Sequence, residues 1–188
     1  MTSLQWPDAI SAAAQGSDVE LSVTKLTRVK WFTSPDSHKA AAEAAVQRFL
    51  SEIGIGSLPI RWLDKQAIAP FIGGYELIKD PLWMQLYGIP QTIKDAADAA
   101  CGQKIIAFTM NDVPEHLFHV LYDAAFHAFE QQGQQVVSHV VAAALYVTSL
   151  SISWDSVCDA SNPLAGLLEA MKLGYMPLGT KDGAFYLL

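Results

Sequence analysis

The chain has 188 residues, of which 51% are hydrophobic and only 16% are charged, and its formal net charge is -7. A chain of this length can bury a core without disulfide or metal staples. Its 12 Lys and Arg against 19 Asp and Glu argue against nucleic acid as a partner, because phosphate backbones are bound by clustered cations.

The low charge has a second consequence. Ordinary soluble domains are roughly 25% charged, so this chain has few charges with which to cover its surface. The composition therefore predicts a protein partner or a homo-oligomer that covers part of it.

The two cysteines, Cys101 and Cys158, have neither the spacing of a disulfide framework nor that of a zinc site. The first residues lack the basic and apolar regions of a signal peptide. The longest apolar run, Val136 to Leu150, is shorter than the roughly 20 residues that span a bilayer. We expect a cytoplasmic protein that does not enter the membrane.

The first third of the chain predicts an arm, a helix and a strand. Residues 1–33 are expected to form an N-terminal arm, loosely attached, with a short helix over 7–15 and a strand over 18–26 where apolar and polar residues alternate. A helix is predicted from the cap Ser34 to Gly54, followed by a strand over 58–63.

The middle of the chain predicts short helices over 80–88 and 92–102. Each stops at a glycine, and the first begins with an Asp-Pro pair typical of helix starts. The apolar stretch 104–110 fits either a strand or a buried turn.

The last third predicts three helices and a hairpin. One helix covers 113–132 and is closed by Gly133, and a buried one follows over 136–150. The next begins at Ser161 or Asn162 and ends at Gly174, and Asp182-Gly183 suits a hairpin turn. The sequence predicts a mainly α fold of the α+β class, with a minor β-sheet and a C-terminal β-hairpin, in one domain over 1–188.

The predicted 113–132 helix carries the most distinctive side chains. At roughly 100° per residue, five of its polar residues fall in one narrow sector, while the other faces are apolar. This polar stripe consists of His116, His119, Asp123, His127 and Glu130.

The polar stripe has three interpretations. The simplest is the solvated side of a helix that is otherwise covered. In the second, His119, Asp123 and His127 supply ligands to a divalent metal, with His139 as a further candidate ligand, because imidazole and carboxylate at such spacings project side by side. In the third, His119, Asp123 and His127 are catalytic or pH-sensing groups.

Other motifs do not indicate chemistry. The sequence has no HExxH, no GxSxG and no phosphate-binding glycine loop, and it predicts no cofactor apart from the metal alternative above. Trp83 is the tryptophan that best fits a ligand-facing position, and His116 and Glu130 are the other candidates for contacting a ligand or partner.

Two stretches, 31–69 and 164–188, resemble an uncharacterised bacterial family of unknown function that is also found as a module in larger proteins. The first has an Ala-Glu-Ala helix, a Gly-Ile turn and a strand that ends in Trp and an acid; the second has a Leu-rich helix before Gly, an aromatic residue and Pro. Tyr175 and Met176 stand where the family usually has tryptophans. The resemblance covers about a third of the chain, implies the order of helix and strand, and brings no activity with it.

We therefore expect a cytoplasmic helical module that binds or interacts with a partner, with no visible reaction centre. The alternatives are an enzyme that uses the His/Asp stripe for metal or acid/base chemistry and a small-molecule sensor with an apolar pocket.

Overall fold

The computed structural model describes residues 25–32, 36–52, 54–72, 115–157, 161–162 and 164–188. Its helices are α1 Lys39–Glu52, α2 Ile68–Ile72, α3 Glu115–Phe129, α4 Gln134–Val157 and α5 Ala165–Lys172. Its strands are β1 Ile60–Trp62, β2 Pro177–Lys181 and β3 Ala184–Leu187. The predictions for 7–15, 80–88, 92–102 and 104–110 lie outside the described residues.

The predicted fold class is confirmed: helices dominate the described residues, and the strands form one three-stranded sheet. Helix α1 follows a 3-10 turn at Asp36–His38 and ends shortly before Gly54, whose φ is 80°. The predicted 113–132 helix is found as α3 and a 3-10 turn at Glu130–Gln132. Helix α4 extends beyond the predicted 136–150 at both ends, to Gln134–Val157.

The strand predicted over 18–26 does not include its last two residues. Lys25 and Leu26 are helical, and the N–H of Arg28 donates to the Lys25 carbonyl, while residues 18–24 lie outside the described part. Leu26, Trp31 and Phe32 are buried, and the indole of Trp31 donates to the carbonyl of Leu26. This part of the predicted N-terminal arm therefore belongs to the core.

The sheet joins distant parts of the chain in the order β1-β3-β2. β1 runs parallel to β3, with Ile60 opposite Phe185, and β2 runs antiparallel to β3. The turn between β2 and β3 has positive φ at Asp182 (50°) and Gly183 (73°), as a two-residue hairpin of the I′ type requires. The predicted C-terminal hairpin is confirmed.

Helices contact both faces of the sheet. On one face, Phe49 of α1 packs edge-on against Phe185, with ring centroids 6.3 Å apart. On the other, Phe71 of α2 contacts the ring of Tyr186 at 4.8 Å, and Lys181 donates to the Phe71 carbonyl. The sheet is therefore held between α1 and α2.

Helices α1 and α5 approach closely because α5 carries a glycine at the crossing. A Cβ on Gly166 would lie 2.3 Å from the carbonyl oxygen of Ala45 and 3.0 Å from the Cβ of Phe49. Contact this close is possible only without a side chain.

A buried polar contact connects α4 to the start of α5. The Asn162 amide donates to the carbonyl and hydroxyl of Ser151 in α4, and its oxygen accepts from the N–H of Leu164. Asn162 was predicted as a cap of this helix, but Leu164 stands at the N-cap position without a side-chain cap hydrogen bond. The Asn162 oxygen binds the N–H of Leu164, in the turn just before the helix.

One cluster of buried side chains contains members of the sheet and of all five helices. Helix α3 packs against α4, which also contacts α2 and α5, so the helical pair is connected to the sheet through α4. Within the described ranges, no helix has the length and apolar character needed to cross a membrane.

Candidate functional site

The described members of the polar stripe lie on the surface. His119, Asp123, His127 and Glu130 are all exposed, whereas Leu117, Leu121, Ala125 and Phe129 of the same helix are buried. Trp83 and the side chain of His116 lie outside the described residues.

An aromatic row borders the polar stripe on α3. The rings of Phe118 and Tyr122 stack with centroids 5.9 Å apart, and those of Tyr122 and Phe126 stack at 6.3 Å. Phe126 is 37% exposed. Its ring also meets that of His127 edge-on at 6.1 Å, so the apolar and polar rows are in contact.

His139, the further candidate ligand, is in a different environment from the stripe. It is fully buried in α4, and its Nδ1 lies 2.7 Å from the carbonyl oxygen of Gln135. Because a carbonyl only accepts, Nδ1 donates to it, and Nε2 is the other ring nitrogen. Nε2 is buried, and it has no hydrogen-bond partner in the part of the chain that the structure describes.

The structure does not gather these candidates into a metal centre within its described part: no group there of three or more His, Cys, Asp and Glu residues could hold an ion. The protonated Nδ1 of His139 on a backbone carbonyl resembles the orientation of metal-bound histidines. The metal and catalytic assignments remain predictions.

A cleft of about 170 Å³ lies at another place, between the start of α1, the end of β1 and the segment before β2. We call it the Trp62 cleft. Its lining consists of Phe32, Asp36, Lys39, Trp62, Leu63, Lys65, Gly174, Tyr175 and Leu188.

Two aromatic rings fix the geometry of the Trp62 cleft. Trp62 and Tyr175 meet edge-on, with centroids 4.9 Å apart and planes at 69°. The indole N–H of Trp62 donates to the carboxylate of Glu43 at 2.6 Å. The Trp62 ring is therefore held by two groups, the Glu43 carboxylate of α1 and the ring of Tyr175.

The cations of the Trp62 cleft differ in their pairing. The ammonium of Lys39 lies 5.0 Å from the centroid of the Trp62 ring and 2.8 Å from the carboxylate of Asp36, and the hydrogen bond to Asp36 is the main reason that its pKa is raised. Lys65 is exposed, and no described carboxylate lies within ion-pair distance of it. Among the side chains that line the cleft, Lys65 is therefore the cation that no described carboxylate neutralises, while the Glu43 carboxylate lies on the Trp62 N–H beside it.

Tyr175 supplies a neutral wall of the Trp62 cleft. Burial is the largest influence on the pKa of its phenol and raises it, whereas the nearby Lys39 lowers it to a lesser extent. At neutral pH the ring is an uncharged hydrogen-bonding group near the ammonium of Lys39.

Phe32 lines the Trp62 cleft in a conformation that bulky residues rarely adopt, with φ of 61°. Such a conformation costs on the order of 1–3 kcal/mol and is most often found at functional sites. Its N–H donates to the Gly174 carbonyl at 3.3 Å, and its ring packs edge-on against Phe129 at 5.0 Å. The surrounding structure thus holds Phe32 in place.

The sequence did not indicate the Trp62 cleft, because its residues come from segments more than a hundred positions apart. The sequence analysis singled out Trp83, not Trp62, as the tryptophan that faces a ligand. The available signal was the presence of two aromatics, Trp62 at the end of a strand and Tyr175 after Gly174, but only the β1–β3 contact brings them together.

The geometry can be compared with known proteins. No family model, curated protein or solved structure matches this chain. Its resemblance to the uncharacterised bacterial family therefore stays a prediction.

Proposed function

We propose that this chain is a cytoplasmic binding module, and that the Trp62 cleft recognises an acidic group attached to a flat or apolar body. The observation that carries this proposal is the pairing of the Lys65 ammonium with the fixed rings of Trp62 and Tyr175 in one cleft of about 170 Å³. An engineered cavity of about 150 Å³ holds benzene, so the space fits one ring or one side chain.

Each part of the ligand has a counterpart in the lining. Lys65 offers an ammonium group without a described carboxylate partner, and Lys39 offers a second beside the Trp62 ring. Trp62 and Tyr175 offer apolar ring surface, and aromatic side chains with a polar tip are common in binding sites. A carboxylate on a planar body satisfies both.

Titration with benzoate, followed by the NMR signal of the Trp62 indole N–H, tests the proposal. We expect saturable shifts with a dissociation constant on the order of millimolar, as suits so small a ligand. Benzamide, which has the same shape without the charge, should bind more weakly.

A pair of lysine variants provides the control. Lys65→Ala should weaken benzoate binding by roughly two- to fivefold, the effect of one exposed charge, and Lys25→Ala, at an exposed lysine that does not line the cleft, should leave it unchanged. Equal binding of benzoate and benzamide, or equal effects of the two variants, would contradict the proposal.

A further inference from the structure

In the part of the chain that the structure describes, the outer side of β1 is an open sheet edge. In the order β1-β3-β2, only the inner side of β1 is paired with β3, and among the described residues no strand pairs with its outer side. An open edge presents backbone donors and acceptors to any extended chain that can lie beside it.

The register shows which backbone groups point outward. The N–H of Phe185 donates to the carbonyl of Pro59, and the N–H of Leu63 donates to that of Leu187, so residues 59 and 63 face β3. Because neighbouring residues of a strand direct their backbone groups to opposite sides, Ile60 and Trp62 present theirs to the open edge.

The open edge is short. One residue before Pro59, the carbonyl of Leu58 is occupied by the side-chain amide of Gln47 at 2.6 Å. Ile60 and Trp62 therefore provide the part of the edge that no described residue pairs with, which is two N–H and two C=O groups.

The open edge leads to the Trp62 cleft. Trp62 ends β1 and also lines the cleft, as do Leu63 and Lys65 after it. A strand advances about 3.3 Å per residue, so a chain paired with Ile60 and Trp62 would bring its next side chains to the cleft.

We infer that an extended, acidic segment of a partner polypeptide pairs with the outer edge of β1 and places a carboxylate side chain in the Trp62 cleft. This inference rests on the proposed function and names the source of the acidic group. The volume of the cleft fits one side chain, and main-chain pairing with side-chain pockets is an established mode of peptide recognition.

The charges beside the edge favour an acidic segment. Arg61 is exposed in the middle of β1, and Lys65 lines the cleft beyond it without a described carboxylate partner. Of the nearby acids, Asp36 pairs with Lys39 and Asp64 accepts from the N–H of Gln66. Natural sheets place such charges at edges to repel other strands. A cation at the edge disfavours a neutral segment because pairing would remove its hydration water, and it repels a basic segment by its charge. It attracts an acidic segment.

Selection of a phage-displayed random heptapeptide library on the full chain tests this inference. We expect enriched peptides that share an acid at one fixed position. Synthetic copies should bind the Lys65→Glu variant at least fivefold more weakly than the wild type, and the Lys25→Glu variant as well as the wild type.

Backbone methylation separates strand pairing from side-chain binding alone. N-methylation at alternate positions of a selected peptide should weaken binding at least tenfold, and methylation at the positions between them should have little effect. Binding that is indifferent to methylation, or peptides without a shared acid, would overturn the inference.

The two proposals fail in different ways. If benzoate binds with the lysine dependence described above and the library yields no peptide, the binding cleft stands and the polypeptide partner is wrong. If neither benzoate nor any peptide binds, both proposals are wrong.

Discussion

Tyr175 links the chemistry of the Trp62 cleft to the stability of the fold. The side chain is 4% exposed and lies against Trp62, and burial raises the pKa of its phenol above the ordinary value of 10.0. The folded protein therefore holds the Tyr175 proton at pH values where the unfolded chain has released it.

This difference predicts a loss of stability in alkali. As the pH rises from about 10 through the raised pKa, the unfolded chain binds fewer protons than the folded protein, so the free energy of unfolding falls. Tyr175→Phe removes this titration, and its free energy of unfolding, measured by urea denaturation, should fall less steeply than that of the wild type. The raised pKa of Lys39 has the same sign and leaves a residual slope in both proteins. Identical slopes above about pH 10 would contradict the prediction.

The substitution Gly166→Ala tests the close crossing of α1 and α5. In an exposed helix, Gly→Ala stabilises by roughly 1 kcal/mol. At Gly166 the added Cβ would lie 2.3 Å from a backbone oxygen of α1, so we expect Gly166→Ala to lower the free energy of unfolding by about 1–3 kcal/mol. Thermal or urea denaturation measures the sign.

The neighbouring residue is the control for this substitution. Ala165 is exposed at the start of α5, and Ala165→Ser should change stability by no more than about 0.5 kcal/mol. A more stable Gly166→Ala protein would show that the two helices separate at little cost.

Helix α3 has a buried side and a solvent-exposed side. Three ligands in one helical row span about 12 Å, too far for one ion, and the described members of the row are exposed. The solvated-face interpretation is the simplest that fits this placement.

The double variant His119→Ala/His127→Ala tests the stripe. We expect the stability to change by no more than about 1 kcal/mol, since both side chains are exposed, and elemental analysis to find the same metal content as in the wild type. Leu121→Ala, on the buried side of α3, should cost about 2–5 kcal/mol. A stoichiometric metal in the wild type that the double variant loses would establish the metal alternative.

Elements marked by local chemistry were predictable from the sequence. The hairpin at Asp182-Gly183 and the turn at Asn162 that leads into α5 depend on residues a few positions apart, and turn preferences operate over that range. The strand predicted over Lys25 and Leu26 was wrong. Alternation of apolar and polar residues over a few positions does not reveal the helical turn found there, which the hydrogen bond between Trp31 and Leu26 accompanies.

The Trp62 cleft was not predictable, because it depends on contacts between distant segments rather than on neighbouring residues. Trp62 and Tyr175 meet only because β1 pairs with β3, and no local preference specifies a parallel pairing between distant strands. The stripe on α3, by contrast, was predictable because it follows from helical periodicity alone.

The β1–β3 pairing also has a consequence for synthesis of the chain. Arg61 and Tyr186 lie opposite each other and are 125 positions apart, and ribosomes add roughly 5–20 residues per second. Strand β1 therefore leaves the ribosome several seconds or more before its partner exists, with Trp62 lacking the Tyr175 ring that will cover it. During that interval the nascent chain exposes both edges of β1, of which β3 later covers one. A chaperone that binds extended apolar segments could therefore bind β1 before β3 is made.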